Sequence, residues 1–241
     1  MCTVSIVAAK GIVRMVCNRD ERRSRARAVP PSLHENGPRR ALFPVDPDGG
    51  GTWIGVNDAG LAVALLNRNE GDSRSVKRLT SRGQIVRDLL LNAESIEEAV
   101  SKLSHVARAK FADYRLIVVD RDGVATVRGA GGASIVVRRY STATPRVFSS
   151  SSLGDYLVEG PRRRLFTRLL AEHRDPRTAQ RLFHRHHWPS RPEISVVMRR
   201  ADARTVSRTQ IDLGVRTATL DYEALHEERT AAERRRAGRR C

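Results

Sequence analysis

A chain of 241 residues, 40% of them hydrophobic, is long enough to bury a full core, and it is expected to form a single domain over residues 1–221 with a charged, frayed tail over 222–241. Its 44 Lys and Arg against 27 Asp and Glu give a formal net charge of +17, which attracts phosphates and anionic surfaces without choosing among them, while the lack of lysine-rich arms and an aromatic content of 5% argue against a dedicated nucleic-acid binder. The three cysteines, Cys2, Cys17 and Cys241, have neither CxxC nor zinc-like spacing, no run approaches the roughly 20 apolar residues that cross a bilayer, and nothing reads as a signal peptide, so a soluble protein of the reducing cytoplasm is expected.

Residues 3–9 and 11–17 are apolar, β-branched runs joined at Lys10-Gly11, the pattern of a tight hairpin. The first strand therefore begins at Cys2. Removal of Met1, which a small second residue allows, would leave Cys2 with a thiol and a free α-amine on one carbon, a nucleophile carrying its own base. Unperturbed values of about 8.5 for a thiol and about 7.7–8.0 for an α-amine put thiolate attack within reach of neutral pH. Asn18-Arg19-Asp20-Glu21 closes this hairpin. Residues 22–50, with Pro30, Pro31, Pro38, Pro44 and Pro47, read as one long irregular loop of the lid or binding type.

Residues 52–56 and 61–66 form a second hairpin across Asn57-Asp58-Ala59-Gly60. Ser81 with Gln84, and Ser95 with Glu98, read as capping boxes opening two helices, with Ile85, Val86, Leu89 and Leu90 on one apolar face and Ile96, Ala99, Val100 and Leu103 on the other. Strands follow at 114–119, 124–128 and 134–140, then Val147-Phe148 and a serine run at 149–152. Helices are expected from Pro161 to about 173 and from Pro176 to about 187, each opened by its proline, before strands at 194–199 and 205–211 and a short run at 217–220. Strands, two helices, strands, two helices and strands, without regular βαβ alternation, imply an α+β protein with two antiparallel sheets covered by helices in layers.

Met1-Cys2-Thr3, Asn18-Arg19-Asp20-Glu21, Gly50-Gly51-Thr52-Trp53-Ile54-Gly55-Val56-Asn57, Gly60-Leu61, Leu66-Asn67, Ser81-Arg82-Gly83, the serine run with Leu153 and Asp155, and Thr205-Val206-Ser207 occur in an order that resembles the NRDE family. That family includes the transport and Golgi organisation 2 proteins and is placed in the N-terminal-nucleophile hydrolase superfamily. The resemblance implies a four-layer αββα sandwich with the nucleophile at the start of a central strand. Residues 55–67 are also similar to the matching stretch of bile-salt hydrolases and penicillin V acylases. By that likeness Cys2 is the nucleophile, Asp20 holds its amine, and Asn67 donates to an oxyanion. Asn18, Arg19, Glu21, Trp53 and Ser150 would line the ligand site, the acylases' second asparagine falling within Ser149 to Ser151, where its donor is at best a serine hydroxyl. Cys17 stands where they have an arginine.

The resemblance leaves two functions open. One is hydrolysis of a small-molecule linear amide; the other is non-catalytic binding or trafficking of haem or a lipid-type ligand in the same pocket. No resident cofactor and no metal is expected, haem entering only as a ligand, and no specific nucleic-acid partner is expected. Arg19 could meet an acidic group of the ligand or pair with Asp20. Trp53 reads first as core and second as a pocket wall. His184, His186 and His187 read as the solvated end of a helix beside Pro189, and the arginines of the tail as a solvated run.

Overall fold

The computed structural model describes residues 2–68, 79–106, 110–129 and 134–225. Two antiparallel sheets face one another. The first holds β1 (Cys2–Ala9), β2 (Ile12–Arg22), β10 (Arg146–Ser149), β11 (Ala203–Leu213) and β12 (Ala218–Ala224) in the order β10-β1-β2-β11-β12. The second holds β3 (Val29–His34), β4 (Ala41–Val45), β5 (Ile54–Asn57), β6 (Ala62–Asn67), β7 (Tyr114–Val119), β8 (Gly123–Gly129) and β9 (Val136–Ser141) in chain order. Helices α1 (Gly83–Asn92) and α2 (Ile96–Ser104) cover the second sheet, and α3 (Asp155–Glu172) and α4 (Pro176–Arg185) cover the first. This is the expected αββα sandwich.

Alternation along each strand decides what meets what. Val4, Ile6, Val13, Met15 and Cys17 turn inward to join Ile54, Val56, Ala64 and Leu66 in the core between the sheets. Val7, on the opposite face of β1, packs instead with Leu165, Phe166, Leu169 and Phe183 beneath the helices. At about 25 cal/mol per Å² of apolar surface, burial of this kind is the main stabilising contribution. The tight β1–β2 turn is made by Lys10 and Gly11, both at positive φ, as a two-residue hairpin requires.

Several local expectations are corrected. Residues 22–50 contain β3 and β4, prolines included. Pro30 and Pro31 lie in an edge strand paired only to β4, and the β4–β5 pairing stops at Ala41 and Leu42, short of Pro44, so the missing N–H groups break no central ladder. Ser81 does not cap α1: Arg82 holds the N-cap position without a side-chain bond, and the Gln84 amide reaches back to the Gly49 carbonyl instead. Ser95 does cap α2, accepting from the Glu98 amide. Helix α3 begins at Asp155, with Pro161 inside it, and residues 194–199 are not a strand but the end of a short 3₁₀ turn (Pro192–Ile194) and the segment after it. Strand β12 runs on through Ala224, past the boundary expected at 221, while residues 226–241, Cys241 included, lie outside the described residues.

His184 is the largest departure. It is fully buried, and its ring joins α4 to both strands of the first hairpin. Its Nδ1 lies 3.0 Å from the Asn18 carbonyl oxygen, which can only accept, so Nδ1 carries the proton and Nε2 accepts from the Ser5 hydroxyl at 2.7 Å. Gln180 donates to the same hydroxyl at 2.9 Å, and the Asn18 amide donates to the carbonyls of His184 and Val196 at 3.0 Å each. Burial, then the nearby Arg208 and Arg162, hold the imidazole well below its ordinary range, so it stays neutral. The unfolded chain protonates this histidine below about pH 6.5 and the folded chain does not, so stability falls as pH drops from 6.5 toward 5, by at most about 1.4 kcal/mol per unit. Asp20, whose carboxyl burial raises, contributes with the opposite sign. Urea unfolding of wild type and His184→Gln at pH 7.5 and 5.5 isolates the histidine: the wild type should lose more stability between the two than the variant.

Candidate active site

Cys2 opens β1 with a strand bonded on either side. Opposite it on β2 is Arg19, and opposite Val4 is Cys17, so Cys2, Cys17 and Arg19 share the inward face of the hairpin while Thr3, Asn18 and Asp20 share the face under the helices. The Cys2 backbone nitrogen donates to Ser150 Oγ at 3.1 Å, and the Ser150 N–H donates to the Cys2 carbonyl at 2.9 Å, just past the end of β10. Both cysteines are buried free thiols. Cys17 beside it holds the Cys2 thiol below its ordinary value against the opposing effect of burial, while Cys2 and burial push Cys17 well above.

Cys2 borders a pocket of about 610 Å³ whose wall includes Arg19, Glu21, Trp53, Leu65, Asn67 and Arg82, within the size range of small-molecule sites. The Arg19 guanidinium lies over the Trp53 ring, 4.2 Å from its centre, and is held by Glu21 at 3.3 Å and Asp46 at 3.5 Å. Trp53 is thus core and wall at once, 5% exposed. The rim is set by a backbone contact. A side chain on Gly51 would collide with the backbone of Gly83 and Gln84 at 2.3–2.6 Å, and Thr52 N–H bonds Gly83 O at 3.1 Å, so both glycines let the β4–β5 turn seat directly on the start of α1.

Behind the hairpin, Asp20 is buried and accepts from Thr205 Oγ1 at 2.6 Å, with the Arg162 guanidinium 3.9 Å away. Arg162 is also fully buried. It donates to the carbonyls of Ile194 at 3.1 Å and Ser195 at 2.6 Å and to the Thr3 hydroxyl, which fixes the backs of β1 and β2 to α3. Of the residues expected at the site, Cys2, Arg19, Glu21, Trp53 and Asn67 border the pocket, Ser150 touches Cys2, and Asp20 stands behind the strand. Asn18 is corrected: its amide and carbonyl are spent on His184 and Val196 beneath the helices, away from any ligand. Arg162, Asp46 and Cys17 were not expected as part of the arrangement. No short motif marks Arg162, which sits among other arginines on α3.

The sequence profile of the family "Transport and Golgi organisation 2" matches residues 1–194. The chain belongs to that family. No curated protein matches the chain. Among solved structures the family fold is similar to penicillin V acylase from Agrobacterium tumefaciens (16% identity, 93% of this chain and 86% of that one, TM-score 0.52). It is similar also to the Caenorhabditis elegans ortholog of N-acylethanolamine-hydrolyzing acid amidase (15%, 87% and 92%, 0.56). A third is the C2A mutant of conjugated bile acid hydrolase from Clostridium perfringens (13%, 95% and 93%, 0.51). At such identities the likeness carries the fold alone, the αββα sandwich.

Two outcomes test the geometry. Arg162→Met removes the counter-charge of a buried carboxylate and three further bonds, so urea unfolding should register a loss of about 3–5 kcal/mol. Cys17→Ala removes the neighbour that holds the Cys2 thiol low, so the pH profile of iodoacetamide labelling at Cys2 should shift upward.

Proposed function

We propose that the chain is a cysteine amidase, cleaving a linear amide at Cys2 after removal of Met1. The observation that carries this is Cys2 itself: at the wall of a ligand-sized pocket, with Cys17 beside it and its thiol held below the ordinary value. An inert core cysteine has no such partner and is pushed upward by burial.

In this reading the freed α-amine takes the thiol proton, and the thiolate attacks the amide carbonyl. Ser150 Oγ, which lies 3.1 Å from the Cys2 nitrogen, orients the amine. Asp20, whose negative charge is felt at Cys2, favours the ammonium, and Arg162 and Thr205 keep that carboxylate in place. Asn67 donates to the oxyanion. The ammonium returns its proton to the leaving nitrogen, the C–N bond breaks, and a thioester remains. Water, deprotonated by the same amine, then releases the acid and restores the thiol. Arg19, kept over Trp53, presents its guanidinium to the substrate.

Incubation with an electrophilic acyl probe, followed by intact mass and peptide mapping, should find a chain lacking Met1 with the probe on Cys2. Label on Cys17 instead, or a chain that retains Met1, would overturn the mechanism. Asn67→Ala should lower kcat about 100- to 1,000-fold with unchanged folding. The carrier reading takes the same pocket: haem held equally by wild type and Cys2→Ala, with no acyl-enzyme from any amide, would replace hydrolysis by binding.

A further inference from the structure

A second cavity lies on another side of the sandwich. It holds about 530 Å³ between the inner faces of β7–β9 and a wall made by β10 and α3. Inner faces of overhanging strands are ordinarily apolar. Here Arg115, Thr126, Arg128, Arg138 and Tyr140 occupy them, and Arg146 and Arg163 face them from the opposite wall. Among these lining residues Glu159 is the sole carboxylate, and it is taken by Arg115 at 2.9 Å. Among the described residues, Arg128, Arg138, Arg146 and Arg163 make no ion pair.

Three details distinguish this groove from an ordinary basic surface. Arg115 and Arg128 are direct cross-strand partners, like charges that oppose one another across a sheet, and among the described residues only Arg115 of the two has a carboxylate, Glu159. Arg146 is held 4.1 Å over the Tyr140 ring, so its guanidinium is already oriented, and its Nε is buried without a hydrogen-bond partner, a donor left waiting. Tyr140 in turn packs on Phe148, ring centres 6.2 Å apart, giving the groove an aromatic floor beside its charges.

We propose that this groove binds a small molecule carrying two or more phosphate groups. Planar guanidinium groups match phosphate oxygens two at a time and hold them more specifically than ammonium groups do. Four unpaired arginines on two facing walls suit a chain of phosphates better than a single one. The volume of about 530 Å³ suits a small molecule, whereas a nucleic-acid strand needs a longer track with successive stacking platforms. The site is separate from the Cys2 pocket, with which it shares no lining residue, and does not depend on the amidase reading.

Calorimetric titration of the full chain with inorganic triphosphate in 150 mM NaCl tests this, with the double variant Arg128→Gln/Arg138→Gln against the charge-matched control Arg40→Gln/Arg216→Gln on exposed positions. Saturable one-site binding is expected, weakened about tenfold or more in the groove variant and little changed in the control, with inorganic monophosphate far weaker than triphosphate. Adenosine triphosphate binding at least as tightly as inorganic triphosphate supports the same assignment. Equal weakening in both variants would mean that only the overall charge matters and overturns the proposal. So would the absence of saturable triphosphate binding, or a single-stranded oligonucleotide that needs Arg128 and Arg138 while triphosphate does not bind. Both variants are checked by thermal unfolding, and triphosphate should raise the midpoint of the wild type and the control, but not of the groove variant.

Discussion

The arrangement rests on the alternation of side chains along the β1–β2 hairpin. Because neighbours on a strand point to opposite faces, two short stretches serve two environments. Cys2, Cys17 and Arg19 look into the space between the sheets; Thr3, Ser5, Asn18 and Asp20 look toward α3 and α4. A slip of one residue in register would exchange the two sets entirely. The buried polar groups on the helix side prevent it. Arg162 and His184 each bond to both strands or their neighbours, and those bonds exist in one register only.

The helix side thereby determines the pocket side. Buried polar networks of this sort contribute little net stability when complete, yet breaking them leaves unpaired groups at high cost. Their effect here is positional: they bring the start of β1 beside Ser150 and Arg19 over Trp53. The two thiols then lie in a space that excludes most water, where each shifts the other's titration, Cys2 downward and Cys17 upward.

Much of this was legible in the residues. Apolar runs and the turn residues between them identified both early hairpins and the layered order of strands and helices, and the Ser95–Glu98 spacing identified the cap of α2. The scattered family segments are distant in sequence and adjacent in space: Thr205 bonds Asp20, the serine run meets Cys2, and Gly51 rests on Gly83. What stayed hidden was hidden for physical reasons. Proline marked residues 22–50 as loop because its tolerance at an edge strand depends on which neighbour the strand lacks, a tertiary fact. His184 looked solvated because its helix carries charge around it; only the facing Ser5 and Asn18 make burial affordable. Arg162 is one arginine among many, and nothing local tells a buried one from its exposed neighbours.

The contact between Gly51 and Gly83 has a further meaning for how this pocket can diversify. Two backbones that touch cannot be moved apart by enlarging either residue without lifting α1 from the sheet, and α1 carries Leu89 and Leu90 into the core. That rim is a fixed jaw. Relatives with different ligand preferences would have to vary the opposite side, where Arg22 and Arg25 border the cavity, and a comparison of lineages should find change concentrated there while the two glycines stand still.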